Sequence, residues 1–235
     1  MPALLIVFSL FIMIWALIYP VVDYWNRFLS VTTLRKGSCA KREIALTFDD
    51  GPNPMITPEV LKILADYKIP ACFFLVGHRS EKYPELTKQI LKSGHEIGVH
   101  TYYHQHAYLM FWRRSLETLR KGRQILEEIA KEKIIWFRPP WGALNLFQFL
   151  LYKRMGLKMV LWSANAADWD VRSAPAVIFE RLKQKVIPGA IIVIHDDGGE
   201  PGAPENMLKA LPEIIDYFQK NNYQFVSLSR MAGGE

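Results

Sequence analysis

The run Ile44 to Pro52, IALTFDDGP, places two carboxylates side by side where an apolar stretch stops. Adjacent acids repel each other, and the pair is tolerable where a cation lies against it. A second group, HTYYH, sets His100 and His104 four residues apart. That spacing puts both imidazoles on one helix face, or curls both toward one point from a tight loop. Two imidazoles with one carboxylate make a catalytic zinc set that keeps a fourth position for water. One of Asp49 and Asp50 would be the third ligand, and the other would be left to take a proton from that water. His195, in IIVIHDD, fits a proton donor to a leaving amine, and Arg138, in RPPWG, can hold a carboxylate through paired hydrogen bonds. Each feature alone has a plainer explanation: a capped turn at Asp-Gly-Pro, a structural ion pair, a loop cap at His195-Asp196. Their joint occurrence is harder to attribute to independent accidents.

The elements that would position these residues alternate. EIALTF, ACFFLVG, HEIGVH, IIWFRP, LKMVLWSA, AIIVIHD and YQFVSL read as short buried strands, separated by helical patterns. Among the helices, one runs from Thr57 to about Tyr67 with Thr57 as N-cap, and a long amphipathic one covers roughly 112–132. Such alternation predicts an α/β fold, a parallel sheet or barrel of βα units, in which function gathers at the carboxyl ends of strands. Asp49 and Asp50 end the first strand, His100 the third, Arg138 the fourth and His195 the sixth, while Asp168 follows the fifth. The stretch GGEPGAPEN (198–206) reads as a loop beside His195 that could gate the site.

Residues 3–22, ALLIVFSLFIMIWALIYPVV, carry no charge and match the roughly 20 apolar residues that span a bilayer. No Lys or Arg precedes the run and no small-x-small cleavage pattern follows it, so an uncleaved anchor is expected rather than a signal peptide. The expected organisation is an anchor over 1–22, a connector over 23–40 and one domain over 41–235. Arg27, Arg35, Lys36, Lys41 and Arg42 behind the anchor favour a cytoplasmic domain. An extracytoplasmic domain is nevertheless the placement expected here for a single-pass cell-membrane protein, on the substrate that the motifs below imply. The net charge of +6 suits an acidic polymer or an anionic surface, and its dispersal without a reading motif speaks against nucleic acid. Neither Cys39 nor Cys72 lies in a metal pattern, and Cys72 reads as an inert core thiol.

From Lys41 to about residue 230 the chain resembles the NodB-type polysaccharide deacetylase domain, carbohydrate esterase family 4. The family's TFDDG stands at Thr47–Gly51, its H-[ST]-x-x-H at His100–His104 and its R-x-P-[YFW] at Arg138–Trp141. D-x-x-D-W is partly kept at Asn165–Trp169, and [LI]-x-x-H-D stands at Ile192–Asp196. The resemblance implies a distorted, incomplete (β/α) barrel and a metal-dependent N-deacetylase. It assigns the divalent metal, usually zinc with cobalt or nickel as alternatives, to Asp50, His100 and His104. Asp49 would be the general base, oriented by Arg138, and His195 the general acid. The backbone near Trp141 would help hold the oxyanion, Ile192 would line a pocket for the acetyl methyl, and Trp169 belongs to the substrate side. Asn165 replaces an acid that tunes the catalytic histidine, which predicts a His195 pKa lower than in relatives that carry the acid unless Asp168 compensates. The expected substrate is an N-acetylated amino sugar of a cell-wall or exopolysaccharide glycan. A lipid-linked amino sugar, acetylated or formylated, is the alternative for an enzyme, and a non-catalytic glycan-binding module the alternative from another class.

Overall fold

Six of the seven residues of β1 (Glu43–Asp49) are buried, as in a strand covered on both faces. The computed structural model describes residues 32–233 and, before them, residues 21, 24, 25 and 30. After β1 come α1 (Thr57–Tyr67), β2 (Cys72–Leu75), α2 (Gly77–Lys82), α3 (Pro84–Lys92), β3 (Glu96–Val99), α4 (Trp112–Ala130), β4 (Trp136–Phe137), α5 (Leu146–Arg154) and β5 (Lys158–Met159). The chain continues with β6 (Ala164–Asn165), α6 (Pro175–Lys185), β7 (Ile191–His195), α7 (Ala203–Lys220), β8 (Gln224–Phe225) and α8 (Leu228–Met231). The strands pair in parallel in the order β5-β4-β3-β2-β1-β7-β6, with β8 against the start of β1. The two ends of that order, β5 and β6, do not pair with each other. The sheet is therefore the parallel βα arrangement that the alternation predicts, in the curled, incomplete (β/α) barrel form that the resemblance implies.

Part of the expected connector lies in the opening of this barrel. Leu34 bridges Val160 in parallel, just past β5, and Lys36 bridges Ala190 in antiparallel, just before β7. The Leu34 N–H donates to Met159 O at 2.9 Å, Leu161 N–H to Leu34 O at 2.8 Å, and Gly37 N–H to Gly189 O at 2.8 Å.

Side chains alternate across the strands and sort into two cores. Leu46, Phe48, Phe73, Leu75, Ile192 and Ile194 face the helices and pack with residues such as Val60, Leu64, Leu211 and Ile215. Ala45, Cys72, Phe74, Trp136, Val160 and Ile191 face inward, where Leu228 and Met231 of α8 join them. Burial pushes the Cys72 thiol well above its usual range, so it is the inert core thiol expected. Apolar packing thus fills the barrel at the amino ends of the strands, and the carboxyl ends are left for polar groups.

Three local expectations are corrected. Thr57 is the first residue of α1 rather than its cap; the cap is Ile56, and the Thr57 hydroxyl is engaged by Asp196 and by the Asn53 N–H. LKMVLWSA is not one strand, because Ser163 turns the chain across to β7. Its N–H donates to Ile191 O at 3.0 Å and its hydroxyl accepts from Ile191 N–H at 3.1 Å. Residues 203–206, expected in a loop, open α7.

The apolar run 3–22 lies, but for Val21, outside the described residues. Among the described residues no helix is long and apolar enough to cross a membrane, and on that finding the expected single-pass placement is corrected. The longest described helices show the physical reason. α4 and α7 are amphipathic, each carrying several charged residues on the side away from the core.

Candidate active site

Asp50 leaves β1 in the left-handed region, at φ 76°. Its carboxylate oxygen Oδ1 lies 3.2 Å from His100 Nε2 and 2.8 Å from His104 Nε2. Neither contact has hydrogen-bond alignment, and Oδ1 is a buried carboxylate oxygen without a hydrogen-bond partner. His100 Nδ1 is 2.7 Å from the carbonyl oxygen of Arg138, which can only accept, so Nδ1 carries the proton and Nε2 turns its lone pair toward Asp50. A lone pair facing a carboxylate is unfavourable unless positive charge lies between them. The three ligand atoms of Asp50, His100 and His104 lie within 4.8 Å of one another, a donor set that fits a divalent cation. Protonated imidazoles would meet the same need for positive charge: burial raises the Asp50 pKa, but hydrogen bonds from His100 and His104 in that state, with the charge of His195, outweigh it and hold the carboxyl well below its usual range. Thr101 and His104 also have positive φ, at 63° and 51°, so the loop after β3 curls tightly to bring both imidazoles to one point.

Asp49 occupies the adjoining position and is 3% exposed. Its Oδ1 accepts from Arg138 Nη1 at 2.6 Å, while Oδ2 lies 4.0 Å from His100 Nε2, on the side of the donor set. Arg138 is fully buried. Its guanidinium also donates to Thr47 Oγ1 and to the carbonyls of Val160 and Leu161, and it stacks 4.0 Å from the Phe74 ring centroid. A buried cation so surrounded fixes the carboxylate it meets. The contact is through a single nitrogen, rather than the paired hydrogen bonds expected.

Across the cavity, His195 ends β7. Asp168 Oδ2 accepts from the His195 backbone N–H at 2.7 Å, and Asp168 Oδ1 lies 3.2 Å from Nδ1. Burial alone would lower the His195 pKa, but Asp168, joined by Asp50 and Asp49, raises it to about 10. Asp168 thus supplies the compensation allowed for, and the reason is positional. Asn165 lines a different cavity, with Thr33 and Ser163, and its carbonyl accepts from Lys185 Nζ at 3.0 Å. Asp168 is the residue against the imidazole. Asp196, fully buried, turns the other way, accepts from the Thr57 hydroxyl, and has its pKa raised by burial to about 7. It sits against Gly51, where a Cβ would fall 2.5 Å from its oxygens, and so holds the turn that follows Asp50.

One cavity of about 470 Å³ brings Asp49, Asp50, His100, His104, His195, Trp141 and Trp169 together. The Trp169 ring meets His195 edge-on with centroids 5.5 Å apart, and the Trp141 ring is 4.5 Å from that of His104. Ile192 is not on this wall. It is fully buried in the core beneath the helices, and its neighbour Val193 lines the cavity. The two-residue alternation of a strand carried that signal: Val193 shares a face with His195, and Ile192 does not. Arg79 and Trp162 also line the cavity and were not anticipated, and Gly198 and Gly199 line it from the loop expected beside His195. A Cβ on Gly198 would collide with Asp50 Oδ2, at a φ of 71°, so only glycine fits there. Arg79 donates to the backbone carbonyl of Asp50 and pairs with Asp197 at 3.1 Å.

The family model described as polysaccharide deacetylase matches residues 36–160. The chain belongs to the polysaccharide deacetylase family. A peptidoglycan-N-acetylglucosamine deacetylase of Bacillus cereus is 36% identical over 190 residues, covering 80% of this chain and 87% of that protein. A chitooligosaccharide deacetylase of Sinorhizobium fredii is 34% identical over 167 residues, covering 70% and 76%. Among solved structures, a peptidoglycan N-acetylglucosamine deacetylase in complex with 4-naphthalen-1-yl-N-oxidanyl-benzamide superposes with a TM-score of 0.82. It has 29% identity and covers 90% of this chain and 97% of its own.

Proposed function

We propose that this polysaccharide deacetylase hydrolyses the N-acetyl group of amino sugars in a cell-wall or exopolysaccharide glycan. The observation that carries the reading is the shared cavity, where a three-donor set, a clamped carboxylate and a paired imidazole face one another. The family's relatives acting on peptidoglycan and chitooligosaccharides support the substrate class.

Asp50, His100 and His104 would hold the divalent cation, which when bound supplies an acidified water and polarises the amide carbonyl. Asp49 takes the proton of the attacking water through Oδ2, because Arg138 occupies Oδ1. His195, protonated at neutral pH beside Asp168, gives its proton to the leaving amine. Asp168 fixes the tautomer and orientation of that imidazole and stabilises its charge. The backbone of the Trp141 turn would help hold the oxyanion, Val193 would meet the acetyl methyl, and Trp141 and Trp169 would flank the sugar.

The test is acetate release by the full chain on N-acetylglucosamine oligomers, with zinc, with cobalt and after chelation, beside Asp49→Asn. Metal-dependent release that the variant abolishes is the expected result. No release from protein with metal bound would exclude these glycans, and release indifferent to chelation would exclude the ligand roles.

A further inference from the structure

A second cavity, of about 540 Å³, lies beside the first, where β5 and β6 fail to meet. Trp162 lines both. The turn at Ser163, Asn165 of β6 and the stretch that carries Thr33, Arg35 and Lys36 form its other walls. Among the described residues no acid lines it, whereas two cations do. A third, Lys185, stands next to it and donates from Nζ to the Asn165 carbonyl at 3.0 Å.

The polar groups of this wall have protons to give. Thr33 is 5% exposed, yet its Oγ1 has no hydrogen-bond partner. Buried hydroxyls are nearly always satisfied, so an unsatisfied one on a cavity wall points to something that fills the cavity. The Ser163 hydroxyl accepts from the Ile191 N–H at 3.1 Å, which leaves its own proton for another acceptor. Among the described residues nothing pairs with the Lys36 ammonium, and nothing hydrogen-bonds to the side-chain amide of Asn165. Arg35 Nη2 donates to Ser30 O at 2.8 Å, which fixes that guanidinium at the wall. Ammonium, hydroxyl and amide donors with no carboxylate among them match a ligand that only accepts. Leu161 and Trp162 add an apolar side for whatever carries it.

We propose that this second cavity binds a small oxyanion, a carboxylate or a phosphate, with Lys36, Thr33, Ser163 and Asn165 as its donors. Water satisfies a hydroxyl alone, whereas an oxyanion answers the hydroxyl and the cations together. Binding here does not depend on the deacetylase reading, but the occupant lies close to the active site. The Trp162 ring is 5.7 Å from the Arg138 guanidinium, which also donates to the Leu161 carbonyl at 3.2 Å. An anion in the second cavity is thus one side chain away from the cation that holds Asp49, and Trp162 reports its arrival.

The experiment titrates the metal-free full chain with inorganic phosphate, glucose 6-phosphate and acetate, at neutral pH and constant ionic strength, and follows tryptophan fluorescence. At least one of these anions should saturate the signal, and Trp162→Phe should lose most of it. Lys36→Gln should weaken Kd by roughly tenfold and Thr33→Val by roughly three- to tenfold, the factors lost with a charged and a neutral hydrogen bond. Thr33→Val removes a hydroxyl that bonds to nothing in the free protein, so only the rise in melting temperature given by the anion should shrink. Saturation by acetate makes the cavity a holding place for the carboxylate that the proposed hydrolysis releases. Saturation by phosphate or its sugar ester alone makes it a site for an anion from solution, and either result supports the proposal. No saturation by any of these anions overturns it, the cavity then holding water only. A Kd equal in the parent, Lys36→Gln and Thr33→Val but lost in His195→Gln also overturns it, by placing the anion in the first cavity. None of these outcomes needs acetate release, so the deacetylase reading stands or falls separately.

Discussion

One buried and one half-buried histidine stand at opposite ends of this sheet, and their surroundings drive them in opposite directions. His95, just before β3, is 7% exposed, lies 5.6 Å from the Phe73 ring, and neither of its nitrogens has a hydrogen-bond partner. Burial lowers its pKa to about 4. His195, at the far end of β7, is raised to about 10, because Asp168, Asp50 and Asp49 outweigh its burial. One end of the sheet keeps an imidazole neutral by giving it nothing, and the other keeps one charged by giving it carboxylates. The sheet thus gathers the buried charges of Asp49, Asp50, Arg138 and Asp168 around the carboxyl ends of its strands, where the cavity opens.

The largest break in this contrast comes from removing a carboxylate on the charged side. Asp49→Asn should lower kcat on the order of 10³-fold, read as acetate release, with the fold unchanged by circular dichroism. Asp50→Asn should abolish the rise in melting temperature that zinc gives the parent protein, since a cation that binds only the folded chain stabilises it. A zinc-induced rise that survives in the variant would place the cation elsewhere.

Asp168→Asn sharpens the comparison. It should cost on the order of 10- to 100-fold in kcat/KM, the scale of losing a residue that orients another. It also removes the main cause raising His195. The alkaline limb of the pH profile should therefore move to lower pH, and an unmoved limb would clear Asp168 of that role.

Two neighbours on β7 test which face does what. Ile192→Ala should cost about 2–5 kcal/mol of stability in urea unfolding, as a cavity in the core. Val193→Ala should leave more of the stability intact and change KM for acetylated oligomers.

The smallest expected effect belongs to His95. Its folded pKa, about 4, lies below its ordinary value of 6.5. The unfolded chain thus binds the extra proton first as pH falls, and stability declines from 6.5 down to about 4. His195 has the opposite sign, its contribution being complete below 6.5 and lost as pH rises toward about 10. In His95→Leu the melting temperature of the metal-free protein should fall less between pH 6.5 and 4 than in the parent. Equal declines would show that other groups carry the acid-side loss.

Much of the fold was legible because buried strands in an alternating pattern leave apolar runs of recognisable length. β1, β2, β3 and β7 and the helices between them other than α2 fall where those runs place them. The cavity residues Asp49, Asp50, His100, His104, Arg138 and His195 were legible for a related reason: polar residues that end apolar strands have little other reason to be there. What escaped lacked a local signal. α2, GHRSEK, is six residues of mostly polar character, too short for a helical period to show. β5 and β6 look like one strand until Ser163 is seen bonded to Ile191, a contact spanning 28 residues. Asn165 was given the place of an acid whose partner turned out to be Asp168, since motif spacing does not say which carboxylate reaches the ring. The choice of Ile192 over Val193 was avoidable, because parity along the strand with His195 was already in the sequence.

The stretch around Leu34 and Lys36 has a mechanical consequence. Its hydrogen bonds to Met159, Leu161 and Gly189 stitch β5 to the start of β7 across the opening of the barrel. A chain shortened to begin at Lys41 would lose the stitch and leave those backbone groups facing a slot. A pull on the chain ahead of Leu34 would load that seam, and through Val160 and Leu161 the strain would reach the carbonyls that Arg138 grips. Where the polypeptide is held before the barrel thus bears on how firmly Asp49 is held within it.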